Sequence, residues 1–362
     1  MDIPARNTPL ARRAVPIVQL SVLDLVPVRT GQSSAQAVAA SLSLVRVAEE
    51  VGATRYWFAE HHNMPAVAST SPPVLIAAAA AATSRIRVGS GGVMLPNHAP
   101  FIVAEQFAAL EALAPGRIDL GIGRAPGSDP IITQVLRSNG IIGDVERFPD
   151  HVTDIVSLVQ PGGATLRLTA ERTYPIAATP AAEGSPEVWL LGSSDYSARL
   201  AAQLGLPYVF ANHFSGEGLA RAISTYRREF QPSEAHPEPR TFVTINAVVA
   251  EDAGRAAELA LPQARGFARI RTNRPARPVE TVEEALAAPR DPVIDEMAEN
   301  VMTRWIIGDP AGAADSVRAL AAEYEVDEVM VSPAAGAYAD EPLDRVLGRE
   351  DTLRLLAGAL AA

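Results

Sequence analysis

Apolar residues in this chain fall into two alternating kinds of run. Short, nearly unbroken blocks occur as IVQLSVL (17–23), RYWFAE (55–60), RIRVGSGGVML (85–95) and RIDLGIG (117–123), then as EVWLLG (187–192), PYVFA (207–211), TFVTINAVVA (241–250) and VDEVMVS (326–332). Blocks of this length and composition read as strands covered on both faces. Between them lie longer, alanine-rich stretches with helical spacing. The first is SSAQAVAASLSLVRVAEEVG, with Ser34 as N-cap and Gly52 as the stop. Others fall near 70–83, 100–113, 144–159, 197–205, 217–230, 310–323 and 342–360. Repeated strand–helix alternation predicts a parallel sheet, and eight units predict an α/β TIM (β/α)8 barrel rather than an open doubly wound sheet.

Two stretches depart from the rhythm. Residues 265–300 are polar, punctuated by proline and without a strand pattern. They read as a mobile inserted segment near the seventh and eighth units, either a lid or a surface excursion. Residues 1–15 read as a disordered lead-in, which leaves 16–362 as a single barrel domain.

Composition narrows the chemistry. The longest apolar run, VLIAAAAAA (74–82), is too short to cross a bilayer. The N-terminus lacks a signal-like apolar core, so the sequence reads as soluble and cytoplasmic. With a net charge of −11 and no long basic run, nucleic acid and anionic membranes are poor partners. There is no cysteine, which excludes disulfides, thiolate metal sites and thiol nucleophiles. All 31 basic residues are arginine, which excludes Schiff-base chemistry and a Walker-type lysine. A Rossmann reading fails too, because GIGRAPG (121–127) has the wrong glycine spacing and Pro126 blocks a helix there.

In a barrel of this kind the site lies at the C-terminal ends of the strands, here EHHN (60–63), SGGVMLPNH (90–98), GIGRAPG (121–127), GSSDYS (192–197) and ANHF (211–214). The paired glycines of GSGG admit a flat ligand against the backbone, or mark a bulge or tight corner. GSSDYSARLAAQLG runs from a buried strand into a helix starting near Ser194, and its free N–H groups form a phosphate cradle or an ordinary cap. Arg124 is a counter-charge for that phosphate, or half of an ion pair. In EHHN, alternation puts Glu60 and His62 on one side with His61 opposed. Adjacent histidines without an HxxxH or HxH partner give weak support for a metal, so no metal site is assigned. His61 and His62 remain the groups best placed to move a proton near neutral pH.

Taken together, WFAEHHNMP, TSRIRVGSGGVMLPNHAP, GRIDLGIGRAPGSD and EVWLLGSSDYSARLAAQLGLPYVFA resemble the luciferase-like monooxygenases, the flavin-dependent barrels typified by bacterial luciferase. The likeness spans nearly the whole chain and is weakest over 265–300. It implies reduced FMN, dioxygen and a small organic substrate, a separate flavin reductase, and a homodimer paired through helices flanking the early strands. Carried over by position, His61 is the family's catalytic histidine, with His62 the alternative. Gly91–Gly92 matches a non-proline cis peptide beneath the flavin ring. Arg124, Ser194 and Ser197 match phosphate contacts, and Glu60, Gly123, Gly192, Ser193 and Tyr196 complete the cofactor set. Ser193 replaces a glutamate, so only its backbone role carries over, and Gly123 replaces a cysteine, so no thiol chemistry is implied. The competing readings are a deazaflavin-dependent hydride-transfer enzyme, a non-catalytic flavin-binding relative, and a metal-dependent hydrolase.

Overall fold

All eight apolar blocks become strands of one closed barrel in a computed structural model of the chain, which describes residues 18–125, 127, 130–137, 145–214 and 216–362. The proposed lead-in at 1–15 lies outside the described residues. In chain order the strands are β1 (Gln19–Asp24), β2 (Arg55–Phe58), β3 (Arg87–Met94), β4 (Ile118–Gly123), β5 (Ala164–Arg167) and β6 (Thr173–Ile176). They continue with β7 (Glu187–Gly192), β8 (Tyr208–Phe210), β9 (Thr241–Val249), β10 (Ile306–Gly308) and β11 (Glu328–Pro333). The barrel runs β1-β2-β3-β4-β7-β8-β9-β11 and back to β1, every neighbouring pair parallel. β10 adds in parallel to the far half of β9, while β5 and β6 form a separate antiparallel hairpin.

The strands are buried on both faces, as their composition requires: β2, β8 and β11 have no exposed position. Inside, Leu23, Trp57, Trp189, Val209, Phe242 and Met330 fill the barrel. The Trp57, Trp189 and Phe242 rings pack with centroids 5.1–5.6 Å apart in tilted or edge-on pairs. Each such pair adds about 0.5–1.5 kcal/mol beyond its buried area. Outside, alanine-rich helices cover the strands. Helix Ser34–Glu50 starts one residue earlier than the sequence suggests, because Ser33 and Gln36 form a reciprocal capping box. Among the described residues, no helix is long and apolar enough to cross a membrane.

Segment 265–300 lies between the seventh and eighth barrel strands and is folded. It contains the end of helix Ala253–Arg271, helix Val282–Ala287 and most of helix Pro292–Met302. Ala264, Ala268, Ile294, Ala298 and Val301 form its own apolar cluster. Arg265 bridges Glu280 and Asp295 at 2.9 Å each. Backbone bonds at 2.8 Å from Thr30 to Val279 and from Val279 to Val28 stitch it to the loop after β1. The stretch expected as a mobile insertion without a strand pattern is a packed helical layer inserted between these two strands.

Candidate active site

The two ends of this barrel differ in what they hold. A cavity of about 2030 Å³ opens at the N-terminal strand ends between groups such as Arg87, Arg240, Glu187 and Glu328. The groups suited to chemistry lie at the other end, so size alone does not locate the site.

Just past β2 the chain is pinned by backbone bonds of 2.9 Å from Ala59 to Asp24 and from His61 to Ser69. That anchoring delivers the Glu60 carboxylate into the interior, where it is 2% exposed. Its Oε1 accepts from both His62 Nε2 and His98 Nε2 at 2.7 Å, and its Oε2 accepts the Met94 backbone N–H at 2.9 Å. Burial alone would raise the pKa of this carboxyl. The hydrogen bonds from His62 and His98, the His98 charge and the Met94 amide outweigh it and bring Glu60 down to about 2. The same bond to Glu60 raises His62.

Glu60, His62 and His98 have metal-ligating atoms within 4.8 Å of one another. Both imidazole nitrogens, however, stand at hydrogen-bond length from one oxygen. Two ligands of a single tetrahedral ion are farther apart, about 3.3 Å for bonds near 2 Å. A carboxylate clamp accounts for this geometry directly.

His61 faces the other way, as alternation along the chain predicts. Its Nδ1 is buried without a partner among the described residues. Burial lowers its pKa, the His62 charge adds to the effect, and Glu60 opposes it. His213, beyond β8, is held down to about 4 by burial and by the nearby His61.

Gly91 and Gly92 are joined by a cis peptide on β3, where the pairing with β4 shifts register between Ser90 and Val93. Neither glycine leaves empty space on its side-chain face. A Cβ at Gly91 would sit 2.6 Å from Leu23, and one at Gly92 would sit 2.5 Å from Leu191 and 2.8 Å from the Gly121 carbonyl. The pair therefore answers first to barrel packing, the corner reading. Gly123 differs, because its Cβ would find only the Val93 carbonyl at 3.7 Å.

At the neighbouring strand ends, β4 pairs Gly123 with Leu191 of β7, which brings Arg124 beside the turn into helix Asp195–Leu204. The Arg124 guanidinium lies 4.1 Å from the Tyr196 ring centroid, and its buried Nε has no partner among the described residues. Ser194 is the N-cap in extended conformation, yet its side chain makes no cap bond, and Ser193 and Ser194 are exposed. The first N–H groups of this helix are thus left for an outside acceptor. Ser197 is buried behind them against Gly192, where it fills the space a Cβ would need. Asp195 is taken up by Arg221 at 2.8 Å.

Of the residues singled out from sequence, Glu60 and His62 meet in one cluster and Arg124, Ser193, Ser194 and Tyr196 in another. Sequence reasoning missed His98, His213 and Thr244. The first two sit in strand-end motifs already quoted. The third had a signal: Thr244 and Asn246 are polar residues two apart in an otherwise apolar strand, so they share one face.

An eight-stranded parallel barrel whose open polar groups gather at the C-terminal strand ends defines a TIM-barrel protein with its working face there. Residues 18–328 match the family model described as luciferase-like monooxygenase, and the chain belongs to that family, which makes it an oxidoreductase of the monooxygenase class. It is 39% identical over 319 residues to a luciferase-like monooxygenase of Escherichia coli (strain K12), covering 87% of this chain and 91% of the relative. The solved structure of apo-MsnO8 matches with a TM-score of 0.82 and 32% identity, over 95% of this chain and 98% of that one. The oxygenating constituent of 3,6-diketocamphane monooxygenase of Pseudomonas putida, in complex with FMN, matches with a TM-score of 0.67 over 95% and 98%. At 16% identity that likeness is one of fold alone.

Proposed function

We propose that the protein is an FMN-dependent monooxygenase that uses reduced FMN and dioxygen to oxidise a small organic substrate. The observation that carries this reading is Arg124, a half-buried cation whose buried Nε lacks a partner among the described residues, beside a helix start with an idle cap. A guanidinium with free donors next to unbonded backbone N–H groups is a dianion site in waiting. Phosphate would be held by Arg124, by the Ser194 hydroxyl, by the Ser193 backbone, and by the N–H groups opening helix Asp195–Leu204, with Tyr196 supporting the guanidinium. The ring would lie against the Gly91–Gly92 backbone and toward Gly123, whose side-chain face is open. The bound flavin would supply the redox chemistry.

The chain's own part is to place, to exclude water and to manage protons. Burial keeps His61 neutral near pH 7, so its unpartnered Nδ1 can accept or return a proton at the barrel mouth. His62 is committed to Glu60 and holds the loop instead. Reduced cofactor would come from a separate reductase in the cytoplasm. Pairing of two copies through the helices after β2 and β3 is consistent with exposed Val74, Ile102 and Leu113 there.

The test is a titration of the purified protein with FMN, riboflavin and the deazaflavin cofactor, repeated on Arg124→Ala. Loss of a charge-assisted contact worth about 1.5–3 kcal/mol should weaken FMN roughly 10- to 100-fold and leave riboflavin nearly unchanged. Equal weakening of both would remove the phosphate role. Tight binding of the deazaflavin alone would replace the monooxygenase with a hydride-transfer enzyme.

A further inference from the structure

A small cavity of about 20 Å³ adjoins the loop that follows β8. Asn212, His213 and Phe214 of that loop border it, together with Asn246 of β9, Phe267 and Trp305. Because the strands from β2 to β8 are parallel, their C-terminal ends open on one side of the barrel. The cavity therefore belongs to the same face as the ends of β2 and β4, where His61 and Arg124 follow. A water molecule needs about 10–15 Å³, so this space admits one hydroxyl-sized group and no ring.

What lines the space is short of donors. The Thr244 hydroxyl donates to the Phe210 carbonyl at 3.1 Å, so its oxygen has only acceptor capacity left. That oxygen accepts the His213 backbone N–H at 3.3 Å and stands 3.0 Å from His213 Nδ1. Nδ1 therefore carries the ring hydrogen, and Nε2 keeps a lone pair that no described residue bonds. Burial holds the ring down to about 4, which leaves it neutral near pH 7. Asn246 donates its amide N–H to the His213 carbonyl at 2.8 Å, and Asn212 donates to the Thr244 carbonyl at 2.9 Å. Arg271 is engaged at the rim, where it donates to the Phe214 carbonyl and lies 5.5 Å from the Phe214 ring centroid. Arg271 and Arg304 border the cavity and no acidic residue does, so a neutral donor suits it better than an ammonium.

We propose that this cavity is a substrate subsite in which His213 Nε2 accepts a hydrogen bond from a neutral hydroxyl or N–H group. Thr244 sets the tautomer that makes the ring an acceptor, so both residues determine specificity. Only the word substrate rests on the monooxygenase reading; the subsite itself stands on the cavity and its hydrogen bonds. The donor group fills the space, and the apolar body of the molecule stays outside it toward Phe214, which is 53% exposed. The Phe267 and Trp305 rings, 5.8 Å apart, supply the apolar wall. A molecule without the donor leaves the Nε2 lone pair unmatched and should bind roughly 5- to 100-fold more weakly.

Nitrogen NMR of the purified protein with labelled histidines reads this site without flavin, so a failure of FMN binding leaves the result decidable. The six histidines are assigned by single His→Gln variants. Wild-type His213 should show the Nδ1–H tautomer. Titration with benzyl alcohol should then move its Nε2 resonance upfield, while benzyl methyl ether should bind roughly 5- to 100-fold more weakly and leave it in place. Thr244→Val removes the acceptor, should convert most of the ring to Nε2–H, and should erase the advantage of the alcohol. The proposal is overturned if wild-type His213 is Nε2–H, or if Thr244→Val keeps the preference for alcohol. It is overturned equally if alcohol and ether act alike, or if neither moves the ring because the cavity is closed around a water. Should Thr244→Val fail to fold, the two wild-type titrations decide alone.

Discussion

The interior of this barrel carries buried polar groups at both ends, and they are treated in opposite ways. At the N-terminal end, Arg55 meets Asp119 at 2.9 Å and Glu328 at 2.8 Å, and the Trp57 indole donates to Asp119 at 2.8 Å. The Arg55 guanidinium also lies 4.8 Å from the Trp189 ring centroid. The charged groups there are matched, while among the described residues the Trp189 Nε1 and the Thr241 Oγ1 have no partner. At the C-terminal end, Glu60 is fully matched, while the His61 Nδ1 and the Arg124 Nε have no partner among the described residues. Buried groups without partners are costly, so a fold retains them where something else is to complete them. At one end the chain matches its buried ionisable groups, and at the other it leaves His61 and Arg124 short of a partner among the described residues.

The comparison breaks first at Asp119. Asp119→Asn should cost about 3–5 kcal/mol of unfolding free energy, because it removes one of the two carboxylates on buried Arg55 and the countercharge of Arg87. A urea midpoint close to wild type would show that this end is not a stability element.

The next effect belongs to Glu60. Its folded pKa of about 2 lies below the ordinary 4.5, so its stabilisation is complete above pH 4.5 and disappears as the pH falls toward 2. His62 is raised, so its share is present at low pH and is lost as the pH climbs through its folded value. Stability should therefore peak between these limits. Glu60→Gln should lower the peak by about 2–3 kcal/mol and flatten the acid side. Urea unfolding across pH 3–8 reads both, and an unchanged acid limb would dissolve the clamp.

The smallest change is at the helix start. N-cap serines are usually worth about 1 kcal/mol, but Ser194 makes no cap bond, so Ser194→Ala should alter stability by less than about 0.5 kcal/mol. Any loss should appear in FMN affinity. A full capping cost in thermal melts would mean that the hydroxyl serves the helix after all.

The barrel strands, 3–9 residues long, were legible because a parallel strand covered on both faces is apolar along its length. What escaped detection was amphipathic and solvated. Helix Pro292–Met302 hides its buried Ile294, Ala298 and Val301 among charges, although Asp291 caps it. Helix Ala253–Arg271 carries an internal Pro262 and so reads as interrupted. The β5–β6 hairpin is mostly exposed and shows little alternation. The site divided along the same lines. Neighbours in sequence such as Glu60 and His62 were readable as a pair. His98, which shares Glu60, is 38 positions away, and His213 with Thr244 becomes meaningful only once the barrel closes.

Gly91, Gly92 and Gly121 of β3 and β4 mesh like gear teeth, Gly91 against Leu23, Gly92 against Leu191 and Gly121 against the Ser90 carbonyl. That wall has no clearance for even one methyl group, so it is fixed by the machinery of the barrel itself. A laboratory seeking new substrates should leave it alone and direct its mutations to the opposite side, around Phe214, Phe267 and Trp305, where side chains rather than backbone set the shape.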